Sequence, residues 1–202
     1  MARIVPPGLS SKLKDNSNNI SSNINSSLKN EPNYDIFIRK SNDGGKTFSN
    51  KINLDNYNLF NKNNKSDDSF GNSINAEISA FEDNVYVIWN KEHLSQINYN
   101  DNNNKILFRT SADGGSTFKS IKTLSNNVSS LTYPKITTSP LTNNISSRNV
   151  YAIWNVGHPD KDLYRNSDVI FFTKSDDNGE NFSNLTKING PIKSIGKPQI
   201  TS

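Results

Sequence analysis

The sequence contains no cysteine, so no disulfide can staple the fold, and thiol usage says nothing of the redox compartment. It has no apolar run long enough to cross a bilayer as a helix. Apolar stripes at helical spacing sustained over three turns are also missing, which argues against amphipathic helices. Only 32% of the residues are hydrophobic, and the deficit concentrates in loops and near the N-terminus. The net charge of +4 is spread along the chain without a block of like charge. A nucleic-acid groove would interleave bases with exposed aromatics, whereas most aromatics here sit in candidate strands, so a solvated basic surface with no nucleic-acid partner is expected. With two histidines and no cysteine, nothing has the spacing of a metal site, and no cofactor motif is present.

What the chain does have is one turn written three times. SNDGGKTF runs from Ser41 to Phe48, SADGGSTF from Ser111 to Phe118 and SDDNGENF from Ser175 to Phe182. Such recurrence marks copies of one supersecondary unit. The pairs Gly44-Gly45, Gly114-Gly115 and Asn178-Gly179 supply the positive φ that a tight hairpin needs. Asp43, Asp113 and Asp177 are placed to accept hydrogen bonds from the turn's own N–H groups. Phe48, Phe118 and Phe182 then carry a ring back into the space between adjacent sheets.

The flanks repeat as well. NVYVIWN (Asn84 to Asn90) and NVYAIWN (Asn149 to Asn155) precede the second and third turns, and AEIS (Ala76 to Ser79) and PKIT (Pro134 to Thr137) precede those. Val85, Val87 and Trp89 alternate with Tyr86 and Ile88, so both faces of that strand are apolar and both need cover. Trp89 and Trp154 are expected to pack between sheets. One full unit reads as four short antiparallel strands, with the turn joining the third to the fourth. On this pattern residues 1–33 are an Asn/Ser-rich segment too poor in apolar side chains to order itself. Residues 34–202 are the folded array: a half unit over 34–54, full units over 74–124 and 133–188, and the first strand of another over 196–202.

Ser-x-Asp-x-Gly-x-Thr-Phe resembles the Asp-box, or BNR repeat, of sialidase-like β-propellers, with Phe in place of the more usual Trp. The motif positions are Ser41, Asp43, Gly45, Thr47 and Phe48, then Ser111, Asp113, Gly115, Thr117 and Phe118, then Ser175, Asp177, Gly179 and Phe182. The third copy departs at Asn181, where Thr is expected. The resemblance spans about 34–202 and implies an all-β fold, a partial propeller of four-stranded antiparallel blades, and a structural role for the boxes. It also implies an extracellular or cell-surface setting, although Met1 to Pro7 lacks the apolar core of a secretory signal. Two complete units are too few to close a ring. A partial chain is therefore expected, with self-association through open blade edges as the alternative.

In sialidases the resemblance implies three arginines gripping a carboxylate, a Tyr–Glu nucleophilic pair and an acidic acid/base residue, all on the face opposite the boxes. This chain has five arginines, Arg3, Arg39, Arg109, Arg148 and Arg165. Arg39 and Arg109 hold equivalent repeat positions and read as structural. No catalytic residue is assigned. The opposite rim is formed by the loops Asn90 to Asn104 and Asn155 to Ser167, which carry the two histidines, His93 and His158, as candidate ligand contacts; as repeat-derived loop residues they have a structural reading too. The expected function is a non-catalytic module binding a protein or carbohydrate ligand. The alternatives are a fragment of a sialidase-like exo-glycosidase whose catalytic residues lie in other blades, and a purely structural array.

Overall fold

Alternating and two-sided apolar strands produce antiparallel sheets. The computed structural model describes residues 34–55, 71–92, 104–128, 132–141, 144–156, 169–188 and 197–202, and among them there is no helix. The chain is all-β there, as expected. The first sheet pairs β1 (Phe37–Ile38) with β2 (Ile52–Asn53). The second is a meander of β3 (Ser73–Phe81), β4 (Asn84–Lys91), β5 (Asn104–Ser111) and β6 (Lys122–Val128). The third repeats it with β7 (Lys135–Leu141), β8 (Asn144–Val156), β9 (Val169–Ser175) and β10 (Thr186–Lys187). Tyr34–Ser202 forms one compact unit. The N-terminal segment 1–33, Arg3, Arg165, His93 and His158 lie outside the described residues.

The sheets pack face to face in chain order. Between the first and second, Ile36, Ile38, Ile52 and Leu54 meet Val85, Val87, Trp89 and Leu107. Between the second and third, Tyr86, Ile88, Ile106 and Phe108 meet Ile136, Val150, Ala152 and Trp154. Each sheet thus has a leading face toward the sheet before it and a trailing face toward the sheet after it. Period-2 alternation makes this possible, because Val85, Val87 and Trp89 lead while Tyr86 and Ile88 trail. Trp89 and Trp154 are fully buried. A fully buried large apolar side chain contributes about 1.5–3 kcal/mol, whereas an exposed ion pair such as Lys119–Glu180 adds about 0–1 kcal/mol. Face-to-face burial, rather than surface charge, therefore holds the second sheet on the third.

Two details differ from the sequence expectations. Phe118 and Phe182 lie partly buried against the two cores, but Phe48 is 56% exposed, because no sheet precedes the first one among the described residues. The strand expected over 196–202 is not formed in its described part, 197–202, because among the described residues no second strand stands beside it to form a ladder. Residues 197–202 nonetheless lie along β7, where the Ser202 hydroxyl donates to Thr138 O at 2.7 Å and contacts Thr137 Oγ1 at 3.0 Å.

Candidate functional site

Each recurrent turn is built by the same short-range chemistry. The Ser41 hydroxyl donates to Asp43 Oδ1 (2.7 Å) and accepts from Gly45 N–H (2.8 Å), while Thr47 N–H and Oγ1–H donate to the two Asp43 oxygens at 2.9 and 2.6 Å. Ser111, Asp113, Gly115 and Thr117 repeat the set at 2.7, 2.9, 2.9 and 2.6 Å. In the third copy Asn181 takes the place of Thr by donating from Nδ2 to Asp177 Oδ2 at 2.7 Å and from its amide to Oδ1 at 2.8 Å. The departure from the motif is thereby chemically neutral. The bends need left-handed backbone at two successive residues, and Gly44/Gly45, Gly114/Gly115 and Asn178/Gly179 all have φ between 60° and 87°.

Electrostatics follow from those donors. The Thr47 hydroxyl first, then its amide and the Ser41 hydroxyl, lower the Asp43 pKa from 3.8 to about 2. Asp113 is pushed down in the same way, led by the Thr117 hydroxyl. At Asp177 partial burial pushes upward, but the Asn181 amide, Ser175 hydroxyl and Asn181 side chain together outweigh it and hold the group at about 2. These are carboxylates fixed in the charged form with their lone pairs committed. A general acid needs the opposite perturbation.

The arginines are committed as well. Arg39 Nε donates to Ser49 O at 2.7 Å, and Arg109 donates to Lys119 O, Phe118 O and Leu54 O at 2.6, 3.1 and 3.0 Å. Both brace the backbone that follows the turn. Arg148 pairs with Glu82 at 2.8 Å and lies 4.2 Å over the Phe81 ring. No described arginine points to the other rim.

That other rim is formed by the ends of β4 and β8 and the starts of β3, β5, β7 and β9, as the register Ser73↔Lys91↔Lys105 and Val156↔Val169 requires. Its buried centre is Asp55, which receives Lys91 Nζ at 2.7 Å with side-chain exposures of 0% and 5%. The Ser73 hydroxyl donates to the same Asp55 oxygen. Asp55 Oδ1 has no partner. Lys91 stands where the next repeat has Val156, and Asp55 where it has Ser125. The sequence reading missed this pair; a charge at a position apolar in the sister copy was the available signal.

A second polar residue of the rim is Asn90, fully buried with both amide atoms unpartnered. Its repeat equivalent Asn155 accepts from Tyr133 N–H at 3.0 Å. The corresponding donor beside Asn90 would come from Asn75, but a bulge between Ile74 and Glu77 puts Asn75 at φ 55° and re-aims it, so that its Nδ2 donates to Thr132 O at 3.1 Å. Nearby, burial raises the pKa of Glu92. Among the described residues no group of three or more His, Asp or Glu could hold a metal ion. The rim therefore holds the buried Lys91–Asp55 ion pair, the orphan amide of Asn90, and Glu92, whose pKa burial raises.

No protein-family model and no curated protein matches this chain.

Proposed function

We propose that residues 34–202 are a segment of a sialidase-like β-propeller built on Asp-boxes, and that it serves as a non-catalytic module at the cell surface or outside the cell. Its rim opposite the boxes meets a protein or glycan ligand. One observation carries the reading: three turns with a single hydrogen-bond set recur at the same strand connection of successive face-packed sheets. Identical chemistry at every repeat is what a fastener needs, while an active site needs different residues from different repeats. The glycosidase alternative draws no support from Arg39, Arg109 and Arg148, which are engaged away from the rim.

The test is a glycan and glycoprotein array combined with a fluorogenic sialoside assay. Saturable binding that Glu92→Lys abolishes and Asn42→Ala preserves is expected, with no turnover of the sialoside. Turnover above the uncatalysed rate would contradict the non-catalytic reading, and binding sensitive to Asn42→Ala but not to Glu92→Lys would move the site to the wrong rim.

A further inference from the structure

The repeat sets an arginine into one groove between sheets and a threonine into the next. Between the first and second sheets, Arg109 reaches out from β5: its Nε donates to Lys119 O at 2.6 Å, its Nη2 to Phe118 O at 3.1 Å and its Nη1 to Leu54 O of the preceding sheet at 3.0 Å. Between the second and third sheets the position of Arg109 is held by Thr173, and those of Lys119, Phe118 and Leu54 by Ser183, Phe182 and Leu124. The Thr173 hydroxyl donates to Ser183 O at 2.8 Å. With one proton it can serve only that one of the three matching carbonyls.

The shorter side chain leaves a cleft of about 520 Å³ in that groove, lined among others by Lys122, Leu124, Thr173, Phe182, Ser183 and Leu185. The three residues whose counterparts hold Arg109 are all in its wall. The backbone beside it keeps the same course, since Ser183 N–H donates to Lys174 O at 2.8 Å as Lys119 N–H does to Thr110 O at 2.9 Å. Leu124 and Phe182 give it apolar sides and pack on the core below, while Leu185 is 41% exposed at its mouth. A carboxylate stands there too. Glu180 receives Lys119 Nζ, and Lys122 Nζ at 3.4 Å, and the Lys119 hydrogen bond leads in holding it below the ordinary carboxylate range. Lys122, which also donates to Glu180 O, stands where β2 has Ile52.

We propose that this cleft binds a guanidinium group, carried on an arginine side chain of a partner polypeptide. The group takes the place that Arg109 takes in the sister groove, donating to Phe182 O and Leu124 O with its charge toward Glu180. Its methylenes lie along Phe182 and Leu185. A planar fork of five donors can serve carbonyls on both sheets at once, whereas an ammonium is a point donor. β6 and β10 are the last strands of their sheets, so the cleft lies along the outer flank, where an extended peptide can present the side chain. Lys122 is the one wall residue that opposes a cation. The site is separate from the rim and does not depend on the ligand proposed there.

The test is an NMR titration of the backbone amides of the full chain with N-acetyl-arginine methylamide, and in parallel with the lysine analogue and with guanidinium ion at matched ionic strength. Saturable shifts at Leu124, Thr173 and Ser183 are expected, with a dissociation constant on the order of millimolar. The lysine probe should bind at least roughly fivefold more weakly, and the bare ion more weakly than the arginine probe because it lacks the stem. Thr173→Arg is expected to abolish binding and raise the urea midpoint, its own guanidinium filling the cleft. Lys122→Ile, which restores the residue of the first sheet, should tighten binding about two- to five-fold and reads the site even if Thr173→Arg does not fold. Absence of saturable shifts at those amides overturns the proposal, as does a lysine probe that binds equally well. Equal binding of the bare ion overturns the arginine side chain as its source. Binding unchanged by Thr173→Arg, or not tightened by Lys122→Ile, overturns the location.

Discussion

Gly179→Ala and Gly115→Ala make a matched pair, because both sites lie in four-stranded sheets at nearly the same backbone angle, φ 80° and 77°. Left-handed strain of about 1–2 kcal/mol falls on either alanine, less about 0.4–1 kcal/mol recovered from the stiffer unfolded chain. Gly115→Ala should therefore cost roughly 1 kcal/mol, since its new methyl meets Val85 and Phe118 at ordinary contact distances of 3.8 and 3.9 Å. At Gly179 the methyl stands 2.8 and 3.0 Å from two Phe108 ring atoms, and Phe108 is fully buried with Tyr86 and Phe182 against it. The ring cannot swing aside, so overpacking adds about 1–3 kcal/mol. Urea unfolding followed by tryptophan fluorescence reads the difference as a midpoint lower by roughly 0.5–1.5 M for Gly179→Ala at an m-value of about 2 kcal/mol/M. A Phe108→Leu background should shrink that gap, because it removes the obstructing ring edge. Equal midpoints for the two glycine variants would refute the close packing of the third turn on the second sheet.

Three other expectations concern single groups. Lys91→Met strands the Asp55 carboxylate in the first–second sheet interface and should cost about 3–5 kcal/mol, whereas the double variant Lys91→Met/Asp55→Leu should recover most of it; denaturant unfolding checks both. Asn181→Thr should stay within about 0.5 kcal/mol of the parent, because a hydroxyl serves Asp177 as the side-chain amide does, and Asn181→Ala should lose about 1 kcal/mol in the same assay. Acid should weaken the fold through the turns: Asp43 and Asp177 have folded pKa values near 2, below the ordinary 3.8. A depressed folded pKa gives stability that is fully present above the unfolded value and is lost as pH falls through the folded one. The urea midpoint should decline between about pH 5 and pH 2, and a flat profile there would contradict it.

The turns, the strand order and the inward tryptophans were legible because each is written more than once. Asp43, Asp113 and Asp177 stand at the same place in three copies, and local hydrogen bonding needs only that local spacing. Phe48 shows where such reading stops. Its sequence context equals that of Phe118, but its burial depends on whether another sheet precedes its own. The rim was less legible for a related reason. Asp55 and Lys91 belong to different sheets and have no charged counterparts in the sister repeats, and the orphan amide of Asn90 results from a bulge at Asn75 that the neighbouring pattern gives no sign of. His93 and His158, the rim residues singled out from sequence, lie outside the described residues, and the described part of the candidate rim is formed by Asp55, Ser73, Asn90, Lys91 and Glu92.

The three turns act as equivalent structural fasteners whose hydrogen bonds hold their carboxylates in the charged form. Carbon-detected NMR titration of the Asp43, Asp113 and Asp177 carboxyl groups tests it directly. All three should titrate well below the ordinary 3.8, Asp43 and Asp177 near 2. A carboxyl among them titrating at or above 3.8 would mean that its turn is not held by the shared hydrogen-bond set, and the equivalence of the three repeats would fail.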